Sequence, residues 1–333
     1  MAQMKYFYEL TLSSSPHAHS STTTRTVMRD VLIALTPALI GSIYFFGFRA
    51  LMVTLVSAAA CVFFEWIYRK LMKLDSTVYD LSAVVTGVLL AFVCPVTIPY
   101  WILIIGDLFA VIIVKQLFGG IGKNFMNPAL AARAFLFSWP VVMSTWVKPG
   151  FENAAGILSA TDAVTGATPM ANMHQGLLPE ASLTDLFLGN VGGCLGETSA
   201  ALLLIGFVYL LIRKVISPRI PLIYIGTVAV LAFLFPQGND PLVWTAAQVC
   251  GGGLILGACF MATDYVTSPM TRLGKSIFAI GCGVITFVIR CFGGYNEGVS
   301  YAILVMNACV PLLDQLGRPR KFGAPKKKEA VKK

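Results

Sequence analysis

GVLLAFVCP, residues 87–95, has an echo later in this 333-residue chain: GLILGACFM, residues 253–261. Each apolar stretch leads on to a landmark that begins Phe-Gly-Gly. The first is FGGIGKNFMNPALAA from Phe118, and the second is FGGYNEGVSYAILVMNACVP from Phe292. The same landmarks in the same order read as an internal repeat. What the repeat means depends on how often the chain crosses a membrane between the copies.

A membrane is the setting the composition demands. The chain is 56% hydrophobic and 12% charged, with a mean hydropathy of +0.75, whereas soluble domains run nearer half apolar and a quarter charged. The first 26 residues lack a compact apolar core with a small-residue cleavage site, so the first span is expected to stay in the membrane. A spanning helix needs about 20 apolar residues. Ten candidate spans follow: 27–47, 50–68, 80–97, 100–118, 126–146, 193–213, 219–236, 242–261, 274–292 and 298–316. Pro95 interrupts one of them, 80–97, and Pro128 and Pro140 another, 126–146.

Basic residues collect on the cytoplasmic side of a membrane. With both termini cytoplasmic, all but four of the 25 Lys and Arg residues fall inside; the exceptions are Arg49, Arg133, Lys148 and Arg290. Five spans followed by five more turn the second copy over. The expected fold is therefore an all-α polytopic membrane protein of about ten helices, an inverted five-plus-five repeat of the urea/ammonium-transporter type. Repeats of this kind place broken helices and ligands near the midplane. The expected divisions are a cytoplasmic segment 1–26, a first repeat 27–146, an extracytoplasmic loop 147–192, a second repeat 193–316 and a basic cytoplasmic tail 317–333.

The tail KKKEAVKK supplies much of the formal charge of +9 and adjoins a span, so no nucleic-acid partner is expected. None of the eight cysteines forms a CxxC pair, and all lie in or beside apolar segments. They read as small packing residues, and no metal centre built by this chain alone is expected. A Gly-rich dinucleotide loop is also lacking, which excludes NAD chemistry within the chain.

The outer loop holds DAVTGATPM, Asp162 to Met170. Loops of this length are often functional. Pro169 pushes Thr168 toward an extended conformation, and Gly166 and Ala167 are small enough for another protein's pocket to close around them. The stretch reads as a projecting hydroxyl on an accessible segment, a substrate for modification. No His or Cys adjoins it in sequence, so catalysis by Thr168 has little support.

DAVTGAT is similar to the flavinylation motif Asp-x-x-Ser/Thr-Gly/Ser-Ala-Thr of two related membrane proteins. These are the D component of the Rnf electron-transport complex and the B component of the sodium-pumping NADH:quinone reductase. NFMNPALAARAFLFSWP (124–140) and FMATDYVTSPMT (260–271) also resemble family stretches. The resemblance covers about residues 25 to 316, and the chain length fits the Rnf component more closely. It implies that Thr168 is esterified to the phosphate of FMN by a separate flavin transferase, with Asp162, Thr165, Gly166 and Ala167 as the recognition context. It also implies a noncovalent riboflavin toward the cytoplasmic side, for which Asn124 and Asn127 are candidate contacts, since amides match the polar edge of a flavin ring. Further implications are a bacterial plasma-membrane location and partner subunits that hold the NAD and iron–sulfur chemistry. The whole complex would oxidise ferredoxin and reduce NAD⁺, coupled to sodium or proton export.

Two features have bland alternatives. Asn127-Pro128 reads first as a helix cap followed by a first-turn proline, not an aquaporin-type pore element. Ionisable residues within spans mark pathways by default; Glu65, Asp107 and Asp264 are the candidates for an ion pathway, with Glu197 near an outer end. Glu65 and Asp264 also suit the cytoplasmic interface, and Asp264 suits a capping role. A urea- or ammonium-type channel is the competing function and a membrane scaffold the third. Both leave DAVTGAT without a purpose.

Overall fold

The computed structural model describes residues 22–150, 156, 168–179, 181–197, 199–237, 240–295 and 297–316, and no β-strand occurs among them. Helix α1 (Thr24–Phe46) starts where the Thr23 hydroxyl accepts from the Thr26 N–H while the Thr26 hydroxyl accepts from the Thr23 N–H. That reciprocal pair satisfies two otherwise orphaned groups. A single residue, Gly47, separates α1 from α2 (Phe48–Leu71). Next come α3 (Ser82–Phe92), α4 (Tyr100–Leu108) with a π-helical continuation Phe109–Gln116, α5 (Pro128–Leu136) and α6 (Pro140–Met143). Two short helices, α7 (Pro169–His174) and α8 (Leu183–Leu188), lie between the halves. The second half holds α9 (Ala200–Ile212), α10 (Arg219–Leu234), α11 (Pro241–Cys250) and α12 (Leu254–Leu256) with a π-helical continuation Gly257–Met261. It ends with α13 (Arg272–Phe292) and α14 (Val299–Leu316).

Among the described residues four helices, α1, α2, α13 and α14, are long and apolar enough to cross a membrane. A fifth crossing is made if α11 and the α12 segment, bent by 57°, count as one. The other expected spans appear as shorter apolar helices or as broken ones. The stretch 126–146 divides into α5 and α6 at Pro140, and 80–97 stops being helical at Phe92. Proline lacks an N–H and collides with the preceding turn, so helices stop at such positions.

Packing follows a common plan in the two halves. Helix α2 packs on α3 and α4, as α10 packs on α11 and α13; α4 and its continuation meet α5, as α13 meets α14. Pairs α1–α9 and α5–α14 join the halves. At the α2–α3 contact a Cβ on Gly87 would lie 2.7 Å from the Ala58 Cα, so only glycine permits this approach. Large apolar side chains such as Ile40, Tyr44, Ile205 and Leu222 face outward, while Asp107, Arg133 and Arg290 are buried. This reverses the soluble arrangement, in which charges stay outside.

Buried arginines hold the breaks together. Backbone that leaves a helix inside a membrane must find partners within the protein. After α3, the Val96 and Ile98 carbonyls accept from Arg49 at 2.7 and 3.1 Å. At the end of α11, the carbonyls of Gln248, Gly251 and Gly252 accept from Arg290 at 2.6, 3.1 and 2.8 Å. Both arginines are exceptions to the expected cytoplasmic clustering of basic residues. Their positions answer to backbone carbonyls.

Candidate functional site

Two cavities lie near opposite ends of α13. The one by its C-terminal end, about 330 Å³, is lined by Thr168, Gly192, Gly193, Glu197, Gly252 and Glu297, among others. Thr168 is extended, at φ −76° and ψ 151°, as the following proline requires, and precedes α7 without capping it through its side chain. Its hydroxyl is not on an accessible surface, however: Thr168 is only 4% exposed. The cause is α7. Met170 and Met173 share one face of that helix and dock into an apolar cluster with Leu186, Trp244, Ala247 and Phe287. Docking draws Thr168 down among glycines. Gly252 and Gly253 have φ of 61° and 67°, a region other residues rarely adopt. Asp162, Thr165, Gly166 and Ala167 lie outside the described residues.

The floor of this cavity is ionic. Arg133 of α5 donates to the Glu197 carboxylate at 2.8 Å and bonds the Glu297 carboxylate through its other terminal nitrogen. That nitrogen also lies 3.7 Å from the Cys194 Sγ. The ligand atoms of Cys194, Glu197 and Glu297 lie within 4.8 Å of one another, close enough to share a metal ion, yet Arg133 already bonds all three. The guanidinium fork suits the task because one planar group serves two carboxylates. Reading the sequence missed this grouping. Its signal was Arg133 itself, a third exception to the cytoplasmic clustering.

The second cavity holds roughly 800 Å³ of empty space, opens to solvent, and is lined by Asn124, Asn127, Asp264, Lys115, Ser82 and apolar side chains from α1, α3 and α9. Two stretches 140 residues apart in sequence thus meet in one place, Asn124 with Asp264. Asn127 caps α5, accepting from the Ala129 and Leu130 N–H groups at 3.0 and 3.4 Å, and its amide donates to the Met261 carbonyl at 3.4 Å. Its side chain therefore builds the wall, and Asn124 and Asp264 present the polar atoms. Asp264 accepts from the Val266 N–H and the Thr267 hydroxyl in its own turn. Burial raises its carboxyl above the ordinary range, against the pull of those hydrogen bonds. The cap of α13 is Thr271, so Asp264 caps a turn and not that helix.

Glu65 and Asp107 lie away from both sets of polar atoms. Glu65 is buried in an ion pair with Lys115 at 2.8 Å and accepts from Thr77. Lys115 Nζ also donates to Ser82 Oγ at 2.6 Å, which ties the pair to the edge of the larger cavity. Asp107 is fully buried, with its Oδ1 2.6 Å from Ser57 Oγ and accepting from the Cys61 thiol at 3.2 Å.

The family model "NQR2, RnfD, RnfE family" matches residues 11–323. The chain is 48% identical over 325 residues to the D component of the Na⁺-translocating ferredoxin:NAD⁺ oxidoreductase complex of Acetobacterium woodii, covering 96% of this chain and 98% of that one. It is 42% identical to the D component of the proton-translocating ferredoxin:NAD⁺ oxidoreductase complex of Clostridium ljungdahlii, covering 94% and 96%. With the D component of the ion-translocating oxidoreductase complex of Stutzerimonas stutzeri the identity is 40%, covering 89% and 91%.

Proposed function

The chain belongs to the NQR2, RnfD, RnfE family, and on that premise we propose that it is the electron-carrying membrane subunit of an ion-translocating ferredoxin:NAD⁺ oxidoreductase. In this reading FMN is joined to Thr168 and riboflavin occupies the cavity at Asn124 and Asp264. The chain does no catalysis alone; its partners are the other subunits of the complex and a flavin transferase. The observation that carries the reading is Thr168: it ends DAVTGAT and lines a pocket that it shares with Gly192, Gly193, Gly251 and Gly252. When bound, the flavins supply reversible electron uptake and release.

The chain's own residues do the rest. Thr168 Oγ1 is the point of attachment, and Gly251 and Gly252 beside it pack against Met170 and Arg290, where a Cβ would collide. Arg133 neutralises carboxylates that would otherwise repel a phosphate. At the other cavity, apolar walls suit a flat ring while Asn124 and Asp264 offer acceptors to its polar edge.

The finer fold belongs to the same proposal. The matching packing of α2 with α3 and α4, and of α10 with α11 and α13, supports a five-plus-five inverted repeat of ten crossings, with the short and broken helices completing the count. Both termini are then cytoplasmic and the α7–α8 segment is external. A reporter fused after Lys333 is expected to read cytoplasmic, and one inserted between Leu177 and Ala181 external. An external C-terminus would overturn the repeat and the sidedness together.

The function is tested by flavin itself. In cells that carry the transferase, the denatured chain is expected to fluoresce as a flavoprotein on a gel. The native chain is expected to release a second flavin, riboflavin, on denaturation. Absence of both would return the chain to the channel reading.

A further inference from the structure

We propose that Asp107 and Ser57, with the Gly87 carbonyl, form a proton-binding site inside the helix bundle, with Asp107 held as the neutral acid. The argument begins with hydrogen counting. Ser57 Oγ lies 2.6 Å from Asp107 Oδ1 and 2.8 Å from the Gly87 carbonyl oxygen. A hydroxyl carries one hydrogen, and a carbonyl only accepts. If Ser57 gives its hydrogen to Gly87, the hydrogen in the shorter contact comes from the carboxyl. If Ser57 instead donates to a carboxylate, two oxygens face each other at 2.8 Å with nothing between them. The neutral acid gives each of the two contacts a hydrogen of its own.

The surroundings agree. Asp107 is 0% exposed, and its Oδ2 has no hydrogen-bond partner. A buried carboxylate needs a cation or several donors. The titratable groups facing it are thiols, Cys61 on α2 and Cys94 after α3. Lys115, about two turns along the same helix, is paired with Glu65. Arg133 on α5 is paired with Glu197 and Glu297. A thiol and a carbonyl already engaged by Ser57 make a poor oxygen shell for sodium, so the occupant is a proton.

The helix face that carries Ser57 continues toward the larger cavity. Ser57, Cys61 and Glu65 recur every four residues on α2, one face of the helix, opposite Asp107 and Lys115. Lys115 lines the large cavity, and Cys61, packed against Ala83 and Val111, lies between it and Asp107. The π-helical turn begins two residues after Asp107, and such turns often occur at functional sites. Loading forms the O–H bond on Oδ1 and turns the Ser57 hydroxyl from the carboxylate to the Gly87 carbonyl; release reverses both movements. A role for this proton in ion translocation rests on the function proposed above, but its existence does not.

Infrared spectroscopy of the assembled complex tests the site. The wild type is expected to show the carbonyl stretch of a protonated acid, shifted in heavy water and lost in Asp107→Asn. The band is expected to be the same in sodium and in choline chloride. Asn mimics the neutral acid in shape and charge, so Asp107→Asn is expected to assemble with wild-type flavin content while ion translocation is lost. No band difference between wild type and Asp107→Asn would overturn the proposal. So would conversion of the band to a carboxylate on adding sodium, which would make this a sodium site. Flavin fluorescence, read on the same samples, reports separately on the cofactor assignment.

Discussion

Thr168→Val is expected to leave the chain with no covalent flavin at all. Valine keeps the branched shape of threonine but offers no oxygen for a phosphoester. The Thr168 side chain does not cap α7, so the substitution removes no helix-capping bond. Docking of α7 rests on Met170 and Met173 against Trp244 and Phe287, which the change leaves in place. The variant should therefore insert and purify as the wild type does. Thr168→Ser retains the hydroxyl and is expected to retain part of the flavin. Mass spectrometry of the peptide containing Thr168 is the measurement, with in-gel fluorescence as the quick form. Undiminished covalent flavin in Thr168→Val would remove Thr168 from the proposal. Burial adds a second expectation. With Thr168 only 4% exposed, attachment has to precede the docking of α7. Transferase given to the folded, purified chain should add flavin far more slowly than transferase present during synthesis.

The largest loss of stability is expected from Arg133→Met. Glu197 and Glu297, held to α5 by one guanidinium, would be left without a buried cation. Removing one partner of a buried ion pair costs about 3–5 kcal/mol, against a total folding stability of order 5–15 kcal/mol. Most of the chain should fail to accumulate in the membrane. Arg133→Lys should recover only part, because an ammonium lacks the planar fork that reaches two carboxylates. Adding Glu197→Gln and Glu297→Gln to Arg133→Met removes the stranded charges and should restore much of the yield. Thermal unfolding in detergent, followed by size-exclusion chromatography, reads all of these variants. Equal stability of Arg133→Met and wild type would show that the ionic floor does not hold the halves together.

How much of this was legible in advance differs residue by residue. The cap at Asn127-Pro128 was legible because a cap is local: the accepting side chain, the proline and the donor N–H groups of Ala129 and Leu130 lie within three residues. Glu65 and Asp107 stood out because a charge in an apolar segment is costly whatever surrounds it. The accessibility of Thr168 was misjudged for the converse reason. A polar loop suggests exposure, and only the apolar face of α7 and its partners on α11 and α13 draw it inward.

From the sequence alone came the membrane setting, the apolar segments, the breaks at proline and glycine, and the motif ending at Thr168. Each depends on composition or on spacing over a few residues, and a lipid solvent imposes those rules directly on the chain. Tertiary structure decided which charges meet. Lys115 finds Glu65 across 50 residues, Arg133 finds Glu197 across 64 and Glu297 across 164, and Ser57 finds Asp107 across 50. Periodicity marks which face of a helix turns inward but not what lies opposite, because that is set by how whole helices cross.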